Sequence, residues 1–243
     1  IPIRLNECLI PDRSIGAGEM LRDLQWVDMF SDWNAAIEIL TSVLVPKRDY
    51  YRVLFNQAYE SLSNYVRLNI ALPKEQQVFT VGLVGHTGVG KSTIVRALFD
   101  LNSWNEHAVT EILYDDYVRI YNLKDSVRFA DIPALGYDLE TKDKSLDFIR
   151  SKVHLVMYVI SATSRIHAAD VDGIKDVIDS QVPCFTVINR FDLLTHIEEE
   201  KMVHYVSEKT KCPVVPLSAL YGMNIDLLRM LIQRLQQVYY GEK

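Results

Sequence analysis

The run Gly85-His86-Thr87-Gly88-Val89-Gly90-Lys91-Ser92 has the residue types and the spacing of a loop that wraps phosphate. Glycines let backbone N–H groups turn onto phosphate oxygens, the lysine reaches the β- and γ-phosphates, and the hydroxyl beside it offers an oxygen to Mg²⁺. The expected phosphate-binding set is Gly85, His86, Thr87, Gly88, Val89, Gly90, Lys91, Ser92 and Thr93, with Lys91 as the main catalytic charge and Ser92 as a metal ligand. The flanks agree with this. Residues 78–84 are apolar and β-branched like a buried strand, and the residues after Ser92 continue with helical periodicity.

Downstream residues bear on the base. Asn189-Arg190-Phe191-Asp192 follows the apolar run 184–188, at the carboxyl end of a strand, where open α/β sheets bind ligands. Asp192 can accept two hydrogen bonds from guanine N1–H and the 2-amino group, for which adenine has no matching pair of donors. Ser218-Ala219-Leu220 follows the last apolar run, and a backbone N–H there would meet guanine O6. Asp131-Ile132-Pro133-Ala134 closes the run 127–131, placing Asp131 to hold an Mg²⁺-bound water. Thr110, between the first helix of this region and the next strand, is the expected second Mg²⁺ hydroxyl. The metal set is then Ser92, Thr110 and Asp131, and the catalytic set Lys91, Thr110 and Asp131. Leu135, directly after the aspartate motif, is apolar and cannot orient an attacking water. A compensating group would come from His86, Arg119, Arg165, a second copy or an activator.

In these motifs the chain resembles the G domains of translation-factor-related GTPases, in particular the Era/TrmE-like family, over residues 78–239. Gly85 to Ser92 resembles that family's first motif and Asp131 to Ala134 its third. Asn189 to Asp192 resembles the fourth and Ser218 to Leu220 the fifth; the stretch from Gly222 to Leu228 is similar to the entry into its last helix. The sequence departs from the pattern in four places. Arg190 and Leu220 stand where lysines are usual, Ala134 where glycine is usual, and Gly88 where potassium-dependent members carry asparagine. The guanidinium of Arg190 can still stack along a base plane, whereas the potassium-dependent mechanism is not implied. A weaker resemblance, through the helical region ahead of the loop, is to dynamin-type and immunity-related GTPases.

The resemblance implies GTP and GDP as ligands, Mg²⁺ as cofactor, and slow hydrolysis to GDP and phosphate that a partner or self-association completes. It implies a molecular switch. Two other readings stay open: a nucleotide-holding module without hydrolysis, which Ala134 and Leu135 favour, and a P-loop ATPase or nucleotide kinase.

Positioning these residues requires alternating strands and helices, the pattern of a three-layer P-loop NTPase domain with a mostly parallel sheet. Strands are expected at 78–84, 114–121, 127–131, 155–160, 184–188 and 214–217. Helices are expected at 91–101, 142–150, 169–180, 197–210 and 225–239. The acidic stretch Tyr114-Asp115-Asp116-Tyr117 leaves open a shorter second strand. Ahead lie an irregular arm over 1–18 and two helical stripes. The first runs through 19–45; the second passes through Tyr51, Leu54, Ala58, Leu62, Tyr65 and Leu72. The expected layout is an all-α hairpin extension over 1–77 and a G domain over 78–243.

Composition bounds the partners. The chain has 243 residues, 49% hydrophobic and 24% charged, with a net charge of −6, which argues against a basic nucleic-acid-binding surface; DNA binding is not expected. Cys8, Cys184 and Cys212 are too far apart in sequence to make a disulfide framework or a zinc cluster, and read as reduced thiols of a cytoplasmic protein. No apolar run approaches the ~20 residues of a transmembrane helix. Partners compatible with this surface are a second copy, a protein activator, a membrane surface or a ribosomal particle. The chain opens on Ile1 rather than Met, which reads as a trimmed or processed start.

Overall fold

Strands built from apolar, β-branched runs must bury both faces, which makes helices on either side a requirement. The computed structural model describes residues 3–4, 14–16, 19–20, 27–28, 48–69, 78–99, 109–114, 118–123, 127–135, 139–164 and 166–241. They fall into two units, Ile1–Asp49 and Tyr50–Lys243.

In the first unit β1 (Ile3–Arg4) pairs in parallel with β4 (Val27–Asp28), and β2 (Ser14–Gly16) pairs antiparallel with β3 (Glu19–Met20). The helix expected over 19–45 is therefore corrected at Glu19–Met20 and Val27–Asp28, which are extended. Gly16 pairs with Glu19 and Ser14 with Met20. The rest of that stretch lies outside the described residues.

The second unit holds a seven-stranded sheet, in the order β11-β10-β9-β5-β8-β7-β6. The strands are β5 (Phe79–Val84), β6 (Val109–Tyr114), β7 (Val118–Leu123), β8 (Val127–Asp131), β9 (Leu155–Ser161), β10 (Cys184–Asn189) and β11 (Val214–Pro216). From β11 to β8 every pairing is parallel; β7 runs antiparallel to β8 and to β6. The single strand expected over 114–121 is thus two strands, joined through 115–117. The reason is chemical: adjacent aspartates fit a turn and are disfavoured in a ladder.

Alternation along each strand sorts side chains to two faces. Val81, Leu83, Met157 and Val159 share one cluster with Ile94, Val95 and Leu98 of α2 (Lys91–Leu98) and Leu228, Leu231 and Leu235 of α6 (Ile225–Tyr240). On the other face, Val84, Val156, Tyr158 and Ile160 pack with α3 (Leu139–Lys152), α4 (Ala168–Asp179) and α5 (His196–Thr210). The result is a three-layer α/β architecture with a mostly parallel sheet. All residues of β5 are buried, so the loop that follows it starts from the centre of the protein.

Helix α1 (Arg48–Asn69) packs on this sheet. It buries Tyr51, Phe55, Ala58, Leu62 and Val66, spaced four, three, four and four apart, while Tyr65, expected on that stripe, is exposed. Tyr51 Oη donates to Glu199 Oε2 on α5 at 3.1 Å, and the Arg234 guanidinium of α6 lies 3.6 Å from the centre of the Tyr59 ring. Burial and the neighbouring Glu199 push the Tyr51 phenol above the ordinary tyrosine range, so it is a neutral donor. The helix covers the β11 edge, which would otherwise present an open row of backbone donors and acceptors. We predict that Leu62→Ala lowers the stability of the whole sheet domain by about 2–5 kcal/mol, read as a lower urea midpoint with an unchanged slope. An unchanged midpoint would show that the helix folds apart from the sheet.

Candidate functional site

At the carboxyl end of β5 the chain turns through Gly85 and enters α2 after Gly90. Gly85 has φ 144°, and a Cβ there would strike the Val159 carbonyl oxygen of the neighbouring strand. Gly90 has φ 98°, and a Cβ there would strike the Asn189 amide nitrogen. Both positions require glycine because another part of the protein occupies the space a side chain would take.

Lys91 is the first residue of α2. Its Nζ donates to the Gly85 carbonyl at 2.8 Å and the His86 carbonyl at 3.3 Å, and stands 3.6 Å from Asp131 Oδ1. Ser92 Oγ donates to Asp131 Oδ2 at 3.1 Å. The ammonium, the hydroxyl and the carboxylate therefore converge at the mouth of the loop, because parallel pairing sets Leu83 of β5 opposite Asp131 of β8. Thr87 and Gly88 are exposed on the loop, Val89 is buried beneath it, and Thr93 is exposed on the first turn of α2.

Asn189 ends β10 with its side chain buried and both ends of its amide bonded. Nδ2 donates to the Val89 carbonyl at 2.9 Å, and Oδ1 accepts from the Ala219 N–H at 3.1 Å. Arg190 adopts a left-handed backbone, φ 61°, which swings its side chain outward so that Nη2 donates to the Gly88 carbonyl at 2.8 Å. The following turn, Phe191–Leu193, is pinned by the Phe191 N–H donating to the Leu217 carbonyl, and holds Asp192 exposed. After β11, the Ser218 N–H donates to the Met223 carbonyl and Ser218 Oγ accepts from the Tyr221 N–H at 3.4 Å, closing a loop that leaves Leu220 76% exposed. The Ala219 N–H is committed to Asn189 within the protein, a tie that the spacing of the motifs did not reveal.

Ala134 and Leu135 are buried, and Leu135 packs in the α3–α5 face of the core, away from the loop mouth. Thr110 lies on β6, in the row Thr110, Asn122, Arg128 and Thr80. Asp131 lies three residues further along, in the row Leu113, Arg119, Asp131 and Leu83. At about 3.3 Å per residue and 4.8 Å per strand, that offset separates Thr110 from the Lys91, Ser92 and Asp131 cluster. Thr110, the expected second Mg²⁺ hydroxyl, thus belongs to the edge strand β6, three rows from Asp131 in the backbone register. Arg119 sits on β7 directly opposite Asp131. Arg165 lies outside the described residues.

A second cluster escaped sequence reasoning. Asp170, buried in the first turn of α4, accepts from Tyr158 Oη at 3.3 Å and from the His167 N–H at 3.0 Å, and its Oδ1 lies 3.3 Å from Nε2 of His86 in the phosphate loop. Burial, reinforced by the Asp170 charge and the bond to it, pushes the Tyr158 phenol far above its ordinary range, so it only donates. A cavity of about 370 Å³ beside the loop is lined by His86, Gly88, Ser161, Ser164, Asp170 and Arg190. The only signal in the sequence was an acidic residue three positions after His167, the pattern of a helix start.

Residues 80–190 match the model of a family described as 50S ribosome-binding GTPase. The chain is 28% identical over 172 residues to the GTPase HflX of Methanocaldococcus jannaschii, a match over 63% of this chain and 40% of that protein. The chain thus spans well under two thirds of that relative. Among solved structures, a probable GTP-binding protein EngB aligns with a TM-score of 0.49 at 19% identity, over 65% of this chain and 98% of that one. The FeoB G-domain from Methanococcus jannaschii aligns with a TM-score of 0.46 at 21% identity, over 67% and 99%.

Replacing Asn189 by alanine leaves a buried carbonyl and a buried N–H without their partner. The expected cost is about 2–6 kcal/mol of stability, from about 1–3 kcal/mol for each of the two orphaned groups. Urea unfolding of Asn189→Ala checks this, with Asn189→Asp as the variant that retains only the acceptor half.

Proposed function

We propose that this protein binds GTP and GDP with Mg²⁺ and hydrolyses GTP slowly as a molecular switch. The observation that carries the proposal is the convergence of Lys91, Ser92 and Asp131 at the mouth of a loop that Asn189 ties to the Ser218–Leu220 turn. The first group suits the phosphates; the second supports Asp192 and the Arg190 stem as the groups that would meet a base.

The donor set fits the metal. A hydroxyl and a carboxylate oxygen at 3.1 Å are hard ligands of the kind Mg²⁺ takes, with Ser92 as direct ligand and Asp131 as holder of a metal-bound water. When bound, Mg²⁺ supplies neutralisation of charge on the β- and γ-phosphate oxygens. The loop N–H groups would orient the phosphates, and Lys91 would stabilise charge as the γ-phosphate is transferred to water. The buried Leu135 cannot aim that water. Hydrolysis is therefore slow unless another group enters, and Arg119, in register with Asp131, is the chain's own candidate; a second copy or a protein activator is the external one. The family description favours a ribosomal particle over a membrane surface as the partner, and a cytoplasmic setting. Among the described residues no helix is long and apolar enough to cross a membrane.

Burial of Leu135 also favours a second reading, a module that binds nucleotide without hydrolysing it. Single-turnover release of phosphate from GTP separates them. We expect release that falls by about 100-fold or more in Lys91→Ala, on the scale of losing one charge-stabilising donor; release equal in wild type and variant would favour the binding module. For base choice, Asp192→Asn should weaken GTP and improve xanthosine triphosphate relative to it, because the carboxylate's pairing with guanine N1–H and the 2-amino group is lost. ATP competing as well as GTP against the wild type would overturn the guanine assignment.

A further inference from the structure

Two cysteines lie side by side where the base-reading strands begin. The parallel register pairs Thr186 of β10 with Val214 of β11, so two residues earlier the same ladder brings Cys184 level with Cys212. The Thr186 N–H donates to the Pro213 carbonyl at 2.8 Å, which carries the pairing to the neighbour of Cys212. Adjacent strands lie about 4.8 Å apart, within the roughly 4.4–6.8 Å between Cα atoms that a disulfide spans. Both side chains are buried, in the same cluster, and neither is in a disulfide. A cavity of about 110 Å³ is lined by both cysteines, by Leu62 and Tyr65 of α1, and by Lys211. Tyr65 and Lys211 are exposed, so the cavity opens to solvent and admits a molecule of peroxide size.

We propose that Cys184 and Cys212 form an oxidisable dithiol that closes, under hydrogen peroxide, to an intrachain disulfide between β10 and the start of β11. The two thiols have different roles. Cys212 borders this cavity and also the groove between α1 and α5, next to the exposed Lys211, whereas Cys184 Sγ donates to the Phe185 carbonyl at 3.9 Å. The closeness of the two thiols favours the thiolate on Cys212 and, with burial, disfavours it on Cys184. Cys212 is the attacking thiolate. Its sulfur bonds to one peroxide oxygen, the O–O bond breaks, and the departing hydroxide takes a proton and leaves as water; the sulfur, oxidised by two electrons, becomes a sulfenic acid. The Cys184 sulfur then bonds to that sulfur, the S–O bond breaks, and the sulfenic oxygen leaves as a second water with the Cys184 proton. Two thiols and one peroxide give one disulfide and two waters.

The position gives the bond a structural effect. β10 leads to Asn189 and β11 to Ala219, which are joined at the site by a hydrogen bond. The disulfide ties the same two segments at their other end.

The test treats the full chain with hydrogen peroxide under native conditions, then labels remaining thiols with N-ethylmaleimide after denaturation. The sequence has three cysteines, and labelling is expected to fall from three to one, with Cys8 the thiol that remains. The tryptic peptides carrying Cys184 and Cys212, which Arg190 and Lys211 separate, are expected joined, about 2 Da lighter than their sum, and released by dithiothreitol. In Cys184→Ala, dimedone is expected to trap the sulfenic acid on Cys212; in Cys212→Ala, no dimedone adduct is expected on Cys184. Three labelled thiols after peroxide, a bond to Cys8 or between two copies, or a dimedone adduct on Cys184 would each overturn the proposal. The labelling of the wild type decides the bond whether or not either variant folds.

Discussion

Asn189 holds three segments together with one buried amide: its N–H₂ reaches back to the Val89 carbonyl of the phosphate loop and its oxygen takes the Ala219 N–H of the turn after β11. A hydrogen bond of this kind adds only about 1 kcal/mol net when made, yet its loss leaves buried polar groups that water cannot reach. The position of the loop relative to the Ser218–Leu220 turn therefore depends on this one side chain. The close approach of its nitrogen to Gly90 also explains why that residue is a glycine.

The same logic of converging strand ends builds the charged part of the site. β5 and β8 are adjacent and in register, so Lys91 and Ser92, entering from the loop after β5, meet Asp131 at the end of β8. The sheet that fixes this register is buried on both faces, and α1 closes its β11 edge through Phe55, Ala58, Leu62 and Val66. A helix outside the phosphate-binding motif thus supports the domain that carries it. Leu135 is committed to the cluster on the other face of the sheet.

Much of this was legible beforehand, for local reasons. The strands β5, β8, β9, β10 and β11 and the helices α2 to α6 were expected within a few residues, because burial on both faces writes continuous apolar runs and one-sided burial writes helical stripes. The phosphate loop and the Asn189 motif are local in sequence and keep their spacing in space. The neighbours of Thr110 in the chain gave no hint of the extra antiparallel strand, β6, on which it lies at the sheet's edge. The Asp170 cluster was missed because its members, His86, Tyr158 and His167, come from separate segments and carry no joint pattern. Helix α1 was recognised as amphipathic, but a stripe records that a face is covered and not what covers it.

The sequence by itself determined most strands and helices of the second unit and the residue types of the Gly85–Ser92 loop and of the Asn189–Asp192 and Ser218–Leu220 turns, since those depend on chemistry written within a few positions. The tertiary structure alone decided that Asn189 joins the loop to the last turn, that α1 belongs to the sheet, and that Cys184 faces Cys212. Each of those is a pairing between segments distant in the chain, fixed by strand order and register. Strand order follows from how the whole set of apolar faces packs, and no single stretch of sequence contains it.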